Sequence, residues 1–257
     1  MICALQDDVA RVLAGAVVVL PAVTYANVGE LAVDVLVATL RPRPLGPLES
    51  NNVLPAVGND AFDDTAGPGT LSTALELYSV EGRPLIFLQQ RAPAMAGRQA
   101  AYAAELVGWL REAGVATLVV LTGLDAQLRR DQQLDSSPFR YLASSDDLRA
   151  QCASLAGVQE FEPSIRDEEL ELHHSLPPWP LVKESSAQGL PCVVLGCFAA
   201  EGDNAAEGLQ LSAHALELLR AMGGEAGSAA LQARGLALRT PRSWAGLYGR
   251  SYPAEIF

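Results

Sequence analysis

The alternation of short apolar runs with longer helical patterns is the feature that most constrains the fold of this chain. The apolar runs have the length of strands and are rich in β-branched residues, which is typical of strands buried on both faces. They cover residues 15–20 (GAVVVL), 115–121 (VATLVVL) and 192–198 (CVVLGCF). Amphipathic helical patterns cover residues 28–40, 98–112 and 205–222. The alternation therefore predicts an α/β sheet protein.

Capping and breaking residues define the first predicted helix, 28–40. Asn27, with Glu30 three residues later, is close to a capping box. The helical period places Glu30 and Asp34 on the polar side, away from the leucines and valines. The run Arg41-Pro42-Arg43-Pro44 is predicted to stop the helix, because proline lacks an amide donor and restricts the residue before it.

The remaining elements are predicted from the same kinds of signal. Pro21 is expected to end the first strand, and Asn204 to cap the last helix. A hairpin turn is expected at Glu81-Gly82. Further strands are predicted over residues 52–57, 71–80 and 84–90, and a further helix over residues 146–155. Residues 137–142 are predicted to form a short aromatic strand or a turn.

Residues 157–189 break the pattern. The stretch FEPSIRDEELELHHSLPPWP is acidic and contains several prolines, and it shows no sustained period. We therefore expect an acidic surface excursion, with an edge strand at its end.

Length and charge narrow the classes of protein. A chain of 257 residues with 49% hydrophobic residues suits one large α/β core, so a single domain over 1–257 is predicted. Basic residues number 18 against 30 acidic residues, a net charge of −12. This charge argues against non-specific binding to nucleic acid or to an anionic membrane surface.

Cysteine placement and the N-terminal residues suggest the compartment. Cys192 and Cys197 are five residues apart in an apolar run, so on a strand their side chains point to opposite faces and do not form a mutual bridge. Asp7 and Asp8 precede the first apolar stretch, which does not fit a secretory signal peptide. We expect a reduced, soluble intracellular protein.

Motifs for nucleotide binding, metal binding and nucleophilic catalysis are absent from the sequence. It contains no Gly-x-Gly-x-x-Gly, no phosphate-binding loop and no Gly-x-Ser-x-Gly elbow. His173 and His174 lack the spacing of metal ligands, and His214 fits an ordinary helix residue. We expect no cofactor and no metal.

The segment Glu201-Gly202-Asp203-Asn204 is the most enzyme-like cluster, because it follows a strong strand and opens a helix. One interpretation is a small-ligand hydrolase or phosphorylase in which Asp203 or Glu201 acts on the ligand. The favoured alternative is structural: Gly202 turns the chain, Asn204 caps the helix and the carboxylates lie at its positive end. A pocket with convergent polar groups at the Asn27 and Asp203 helix starts would separate the two.

The C-terminal residues form an apolar and aromatic tail. Gly246, Gly249 and Pro253 exclude a long helix there. Such a tail packs either on its own domain or in a pocket of a partner protein, and composition leaves both open. Its apolar residues are Trp244, Leu247, Tyr248, Tyr252, Ile256 and Phe257.

Several segments together resemble the proteasome assembly chaperone family, in order and nearly from end to end. Each segment is weak alone, and their common order makes the resemblance specific. They are residues 21–34 (PAVTYANVGELAVD), 57–59 (VGN), 131–134 (DQQL), 137–142 (SPFRYL), 201–204 (EGDN) and 241–244 (PRSW), with Leu247, Gly249 and the aromatic end.

The resemblance implies a single three-layer domain with helices on both faces of the sheet, and no enzymatic activity. It further implies a heterodimer with proteasome assembly chaperone 1 that binds proteasome α subunits, promotes assembly of the 20S α ring and hinders off-pathway ring pairing. Cytoplasm and nucleus are the implied locations, and no nucleic acid or membrane partner is expected.

The tail residues Tyr252, Ile256 and Phe257 are the candidates for partner binding. In some relatives the chain ends in a hydrophobic residue, a tyrosine and any residue, and enters a pocket between α subunits. This chain ends Glu255-Ile256-Phe257, without the penultimate tyrosine. The departure leaves open that the partner supplies the inserting tail, with Ile256 and Phe257 packed at the dimer seam.

Overall fold

A nine-stranded mixed sheet forms the centre of the protein in the computed structural model, which describes residues 3–4, 9–62, 71–173, 176–223 and 236–245. Its order is β1-β3-β6-β7-β2-β8-β11-β9-β10, and β4 and β5 form a separate two-stranded sheet. The strands are β1 (Cys3–Ala4), β2 (Val17–Ala22), β3 (Arg43–Glu49), β4 (Val57–Asn59), β5 (Leu71–Thr73), β6 (Leu75–Ser79), β7 (Leu85–Gln90), β8 (Thr117–Asp125), β9 (Phe139–Ala143), β10 (Val158–Glu160) and β11 (Cys192–Ala199).

The four central strands β7, β2, β8 and β11 are parallel, so their carboxyl ends share one edge of the sheet. Antiparallel pairs flank them, with β6 beside β7 on one side and β9 beside β11 on the other. Helices that follow the central strands therefore begin at the same edge, where open α/β sheets place their binding crevices.

Helices cover both faces of the sheet. Helices α2, α5 and α8 enclose one apolar cluster, and α1, α3 and α7 enclose a second cluster on the opposite face. This confirms the predicted three-layer α/β fold. The helices are α1 (Val9–Leu13), α2 (Val28–Leu40), α3 (Gln99–Glu112), α4 (Asp131–Leu134), α5 (Asp146–Ala153), α6 (Pro163–Leu172), α7 (Trp179–Gln188) and α8 (Ala205–Met222). Within the described ranges, no helix is both long and apolar enough to cross a membrane.

The two cysteines of β11 point to opposite faces, as predicted. Cys197 belongs to the apolar cluster under α2 and α8, whereas Cys192 belongs to the cluster under α3 and α7. Both thiols are free and buried. The strand thus supplies side chains to both cores, which explains its continuous apolar sequence.

Proline misled the prediction of strand boundaries. Pro21 does not end β2, which continues to Ala22 paired with β8. Because β7 pairs with β2 only as far as Val19, Pro21 lies where one side of the strand is free, a position that tolerates a residue without an amide hydrogen. Arg43 and Pro44, predicted as a helix stop, begin β3, whose register shifts between Pro44 and Gly46.

Two predicted strands are also corrected. Residues 52–57 hold only an isolated bridge from Val53 to Ala94 and the first residue of β4. Residues 71–80 divide into β5, which pairs with β4, and β6, which joins the main sheet. The hairpin between β6 and β7 is confirmed, and Gly82 takes the positive φ of 69° at its turn.

Asn27 and Asn204 lie at the predicted N-cap positions of α2 and α8, but neither side chain makes the capping hydrogen bond. Asn27 has a left-handed backbone with φ of 52° and makes no capping hydrogen bond from its side chain. The amide of Asn204 donates instead to the carbonyl oxygens of Ala200 and Gly202, at 2.9 and 3.1 Å. The capping role of both residues was predicted from residue type and spacing. The local backbone conformation instead points each side chain away from the amides at the start of the helix.

Residues 157–189 form more regular structure than the predicted surface excursion. They contain the edge strand β10 at their start and the helices α6 and α7. Phe161, Ile165 and Trp179 are buried against Phe198 of β11, in a small apolar cluster at the carboxyl edge. The acidic residues gave no clear period, although α6 buries Ile165 and α7 buries Trp179 and Leu181.

Candidate functional site

The loop from Thr24 to Asn27 lies across the carboxyl ends of β2 and β8 without side chains between the two backbones. A Cβ atom on Gly123 would lie 2.0 Å from the carbonyl oxygen of Tyr25. One on Gly29 would lie 2.3 Å from the carbonyl oxygen of Leu121. Such distances exclude any larger residue without backbone movement, so both glycines are needed for this close contact.

Hydrogen bonds hold the loop in the same place. The hydroxyl of Thr24 lies 2.9 Å from that of Thr122, and it accepts a hydrogen bond from the Gly123 amide at 3.0 Å. Ala26 and Asn27 both adopt positive φ, which turns the chain from β2 directly into α2. Ala26 is buried in the core, whereas Tyr25 faces outward and is 42% exposed.

A cleft of about 320 Å³ opens beside this loop at the carboxyl edge. Its apolar lining includes Leu124, Leu128, Leu176 and Trp179. Its polar lining consists of Thr24, Tyr25, Asp125, Glu169, His173 and Glu201. Neither arginine nor lysine is among the described lining residues.

The electrostatics of the cleft are dominated by carboxylates. A hydrogen bond to Asp125, with the charges of Asp125 and Glu201, raises the pKa of the Tyr25 hydroxyl. Burial raises the pKa of Glu169, and His173 opposes that rise. The cleft therefore favours cations and disfavours anions such as phosphate.

The predicted enzyme residues do not converge on this cleft. Glu201 lines it, but Asp203 is exposed outside it, where one carboxylate oxygen accepts the amide of Ala205 at 3.1 Å. Asn27 is exposed and is not part of the lining. The pocket that the hydrolase or phosphorylase interpretation required at the Asn27 and Asp203 helix starts is thus not formed by those residues.

A buried ionic cluster, here called the Asp34 cluster, lies on α2 and β7. The guanidinium of Arg91 holds both carboxylate oxygens of Asp34, each at 2.8 Å. The amide of Gln89 donates to the same carboxylate, and the side chain of Trp244 also hydrogen-bonds to it. Asp34 was predicted on the polar side of α2, but it is buried because these partners satisfy its charge.

Glu30 lies one helical turn before Asp34 and completes this cluster. Its oxygen Oε2 is buried and has no hydrogen-bond partner. Burial raises the pKa of Glu30 to about 8. Burial also raises the pKa of Asp34, and the facing Arg91 opposes that rise. Near the start of α2, two acidic side chains, Glu30 and Asp34, therefore share one guanidinium, that of Arg91.

A second buried polar cluster anchors β9 and is called the Arg140 cluster. Arg140 is 1% exposed, and its guanidinium contacts Glu162 at 3.1 Å and the Ser136 hydroxyl at 2.8 Å. Gln133 donates to Glu162 at 2.6 Å. Burial would raise the pKa of Glu162, but hydrogen bonds from its own amide, Arg140 and Gln133 outweigh it and lower the pKa. The segments DQQL and SPFRYL therefore meet in one network.

The predicted tail residues Tyr252, Ile256 and Phe257 lie outside the described residues, as do Leu247, Tyr248 and His174. Trp244 is described, and it contacts Asp34. His214 is a helix residue, as expected: it packs edge-on against Phe139, and burial lowers the pKa of its imidazole. Among the described residues, no group of three or more histidine, cysteine or acidic side chains could hold a metal ion.

Sequence reasoning missed most of the groups that define the cleft. Asp125 ends β8 and Tyr25 follows β2, and both could have been found by asking which polar residues follow the two strongest strands. Glu169 could not, because α6 lies in the segment without a periodic pattern.

The sequence is similar to a known protein family and to named relatives. The model of the PAC2 family matches residues 18–219. "Proteasome assembly chaperone 2" of Homo sapiens is 30% identical over 262 residues, covering 95% of this chain and 96% of the relative. The name describes this relative as a chaperone of proteasome assembly.

Solved structures share the fold at low identity. PbaA of Pyrococcus furiosus, described as an archaeal homolog of proteasome-assembly chaperone, has a TM-score of 0.58 at 18% identity, covering 80% of this chain and 82% of that one. A purine nucleoside phosphorylase in complex with ribose-1-phosphate has a TM-score of 0.50 at 12% identity, covering 81% and 90%. At these identities the likeness concerns the fold alone.

Proposed function

The chain belongs to the PAC2 family, and from this we propose that it is a chaperone of proteasome assembly. In this proposal it pairs with proteasome assembly chaperone 1, and the heterodimer binds α subunits of the 20S core. It promotes closure of the α ring and hinders off-pathway pairing of α rings. The observation that carries the proposal is the match to the human relative over 95% of the chain.

The proposed mechanism is binding without a cofactor. The chaperone lends surface to α subunits whose ring contacts are not yet satisfied, and its net charge of −12 complements basic patches on them. Binding to the correct arrangement stabilises that arrangement by mass action. Affinity must then fall as the ring matures, so that the chaperone leaves.

Features of the cleft favour binding over catalysis. A phosphorylase needs a site for the phosphate anion, but the described lining of this cleft carries three carboxylates, Asp125, Glu169 and Glu201, and no arginine or lysine. The charged groups of the two buried clusters, Asp34 with Arg91 and Arg140 with Glu162, pair with each other and do not line the cleft. These features argue against phosphorolysis at this cleft, and the proposed function includes no enzymatic activity.

The proposal extends to the tail, the domain and the location. Tyr252, Ile256 and Phe257 form the partner-binding tail. We place Ile256 and Phe257 at the seam with the partner chaperone rather than in a pocket of the ring. The whole chain, 1–257, acts as one domain in the cytoplasm and nucleus.

Affinity purification of the tagged full-length protein from its own cells tests the function. Mass spectrometry should recover proteasome assembly chaperone 1 and α subunits, with few mature β subunits. Recovery of neither the partner chaperone nor α subunits would refute the proposal.

Truncation tests the tail in the same assay. Removing Ile256 and Phe257 should reduce recovery of the partner chaperone. The matched control is Val57→Ala, which shortens an apolar side chain that is 72% exposed on β4, and it should leave recovery unchanged. Equal recovery from the truncated and control proteins would exclude the tail from the seam.

A further inference from the structure

The cleft at the carboxyl edge gathers exposed apolar side chains around a concave surface. Tyr25, Leu128 and Leu176 are 42%, 42% and 46% exposed, and all three line it. The buried ring of Trp179 and the side chain of Leu124 also belong to the lining. Large apolar side chains left in water around a cavity are typical of a surface that a partner covers.

The charge on this cleft is unbalanced. Asp125, Glu169 and Glu201 line it, and His173 is the one imidazole among the described lining residues. Two arginines lie close along the chain but are engaged elsewhere. Arg129 donates to the carbonyl oxygens of Gln133 and Ser136 and lies over the ring of Phe198. Arg130 contacts Glu168 at 2.6 Å.

A long cationic side chain satisfies both features. The aliphatic stem of arginine or lysine packs on apolar surface while its charged head reaches a polar rim. Tyr25 and Trp179 offer aromatic surface to a guanidinium, and the carboxylates accept its hydrogen bonds. A small anion would be repelled, and the described lining does not form a metal site.

We propose that this cleft binds a basic side chain, an arginine or lysine, presented with an apolar neighbour on an extended segment of a partner protein. The carboxylates Asp125 and Glu201 contact the cation, and Leu128 and Leu176 contact the apolar neighbour. That the occupant belongs to a protein partner rests on the proposed function.

A pair of peptides tests the site on the isolated full-length protein. Acetyl-Leu-Arg amide is titrated against acetyl-Leu-citrulline amide, which has nearly the same shape without the charge. In nitrogen-15 NMR spectra, the arginine peptide should shift the signals of the Gly123 amide and the Trp179 indole. The citrulline peptide should bind about fivefold or more weakly, because it lacks a charge-assisted contact. Equal affinity, or shifts away from the cleft, would overturn the proposal.

Variants separate the charged from the apolar contribution. Glu201→Gln should weaken the arginine peptide about fivefold and leave the citrulline peptide unchanged. Leu176→Ser should weaken both peptides to a similar degree. The matched control is Glu112→Gln, an exposed carboxylate at the end of α3, on the opposite edge of the sheet, and it should change neither affinity. Equal effects of Glu201→Gln and Glu112→Gln would contradict the assignment.

The partner is tested separately. In the affinity purification described above, the double variant Asp125→Asn/Glu201→Gln should recover less of at least one protein partner than Glu112→Gln does. Unchanged recovery of every partner would overturn the use of the cleft in that complex. The peptide titration contains no proteasome subunit. It therefore tests binding at the cleft even if the wild-type protein recovers no proteasome subunit in the affinity purification.

Discussion

The side chain of Trp244 hydrogen-bonds to the carboxylate of Asp34, which joins the last described segment of the chain to the helix that follows the first central strand. A second contact lies nearby, where the amide of Arg239 donates to the hydroxyl of Thr39 at 2.9 Å. The two segments that carry the resemblance at opposite ends of the sequence therefore meet on α2. A change at Asp34 should affect the placement of the C-terminal region as well as the core.

Breaking the ion pair of the Asp34 cluster should destabilise the fold. Asp34→Ala leaves the buried Arg91 without its ion-pair partner, and we expect a loss of about 3 kcal/mol in the free energy of unfolding. Urea denaturation measures it. Arg149→Ala, which removes an exposed arginine paired with Asp146 and Glu160, should cost less than about 1 kcal/mol. If both variants lost the same free energy of unfolding, the buried ion pair of Asp34 and Arg91 would contribute no more to stability than an exposed one.

The raised pKa of Glu30 should make stability fall as pH rises. Between the unfolded pKa of 4.5 and the folded value of about 8, the unfolded state releases the proton that the folded state keeps. The contribution is therefore complete below pH 4.5 and is lost by pH 8. The slope reaches up to about 1.4 kcal/mol per pH unit.

Denaturation at several pH values between 5 and 8 checks this expectation. Glu30→Gln should flatten the profile, whereas Glu112→Gln, an exposed carboxylate, should leave the slope as in the wild type. A wild-type slope that persists in Glu30→Gln would assign the effect to another group.

Two helical glycines should respond in opposite directions to alanine. Gly29→Ala in α2 drives a Cβ into the carbonyl oxygen of Leu121, and we expect a loss of about 3 kcal/mol or more. Gly108→Ala in α3 meets only Gln188 Oε1 at 3.5 Å, so helix propensity should stabilise the protein by up to about 1 kcal/mol. Thermal unfolding of both variants distinguishes a packing effect from a general effect of alanine. A stable Gly29→Ala would mean that the two backbones separate easily.

The Arg140 cluster should require arginine rather than any cation. Arg140→Lys keeps the charge but cannot reach Glu162, the Ser136 hydroxyl and the carbonyl of Phe139 together, and we expect a loss of about 2 kcal/mol. Arg166→Lys, at an exposed pair with Asp167, should change stability by less than about 0.5 kcal/mol. Denaturant midpoints compare the two; similar midpoints would show that charge alone suffices at Arg140.

Three cysteine thiols should be inert in the folded protein. Burial raises the pKa of Cys152, Cys192 and Cys197 to about 12, so almost no thiolate forms at pH 8. A thiol reagent should then modify none of these three cysteines until denaturant is added. Rapid modification of Cys192 or Cys197 under native conditions would indicate that the sheet opens locally.

Much of the fold could be predicted because its signals are local. The period of residues 28–40 gave both ends of α2, and the apolar runs at 115–121 and 192–198 located β8 and β11. Strand β3 was missed because its prolines indicate a break in secondary structure. Its irregular pairing with β6, which tolerates them, is visible only in the structure.

The site was less predictable because its groups are distant in sequence. The helical period predicted that Asp34 faces solvent. The sequence around α2 contains no sign that Gln89 and Arg91, at the end of β7, donate hydrogen bonds to its carboxylate. Glu201 was identified correctly as a residue at the carboxyl edge. Its neighbours in the cleft come from β8 and α6, and their convergence depends on strand order.

The backbone contact between Tyr25 and Gly123 has a consequence for kinetics. A loop held directly against a central strand is already ordered before a partner arrives, so much of its conformational entropy has been lost in folding. Association should then require no preceding opening step. Differences in affinity among variants of this surface should appear mainly in dissociation rates, and residence time becomes the quantity through which an assembling complex retains or releases the protein.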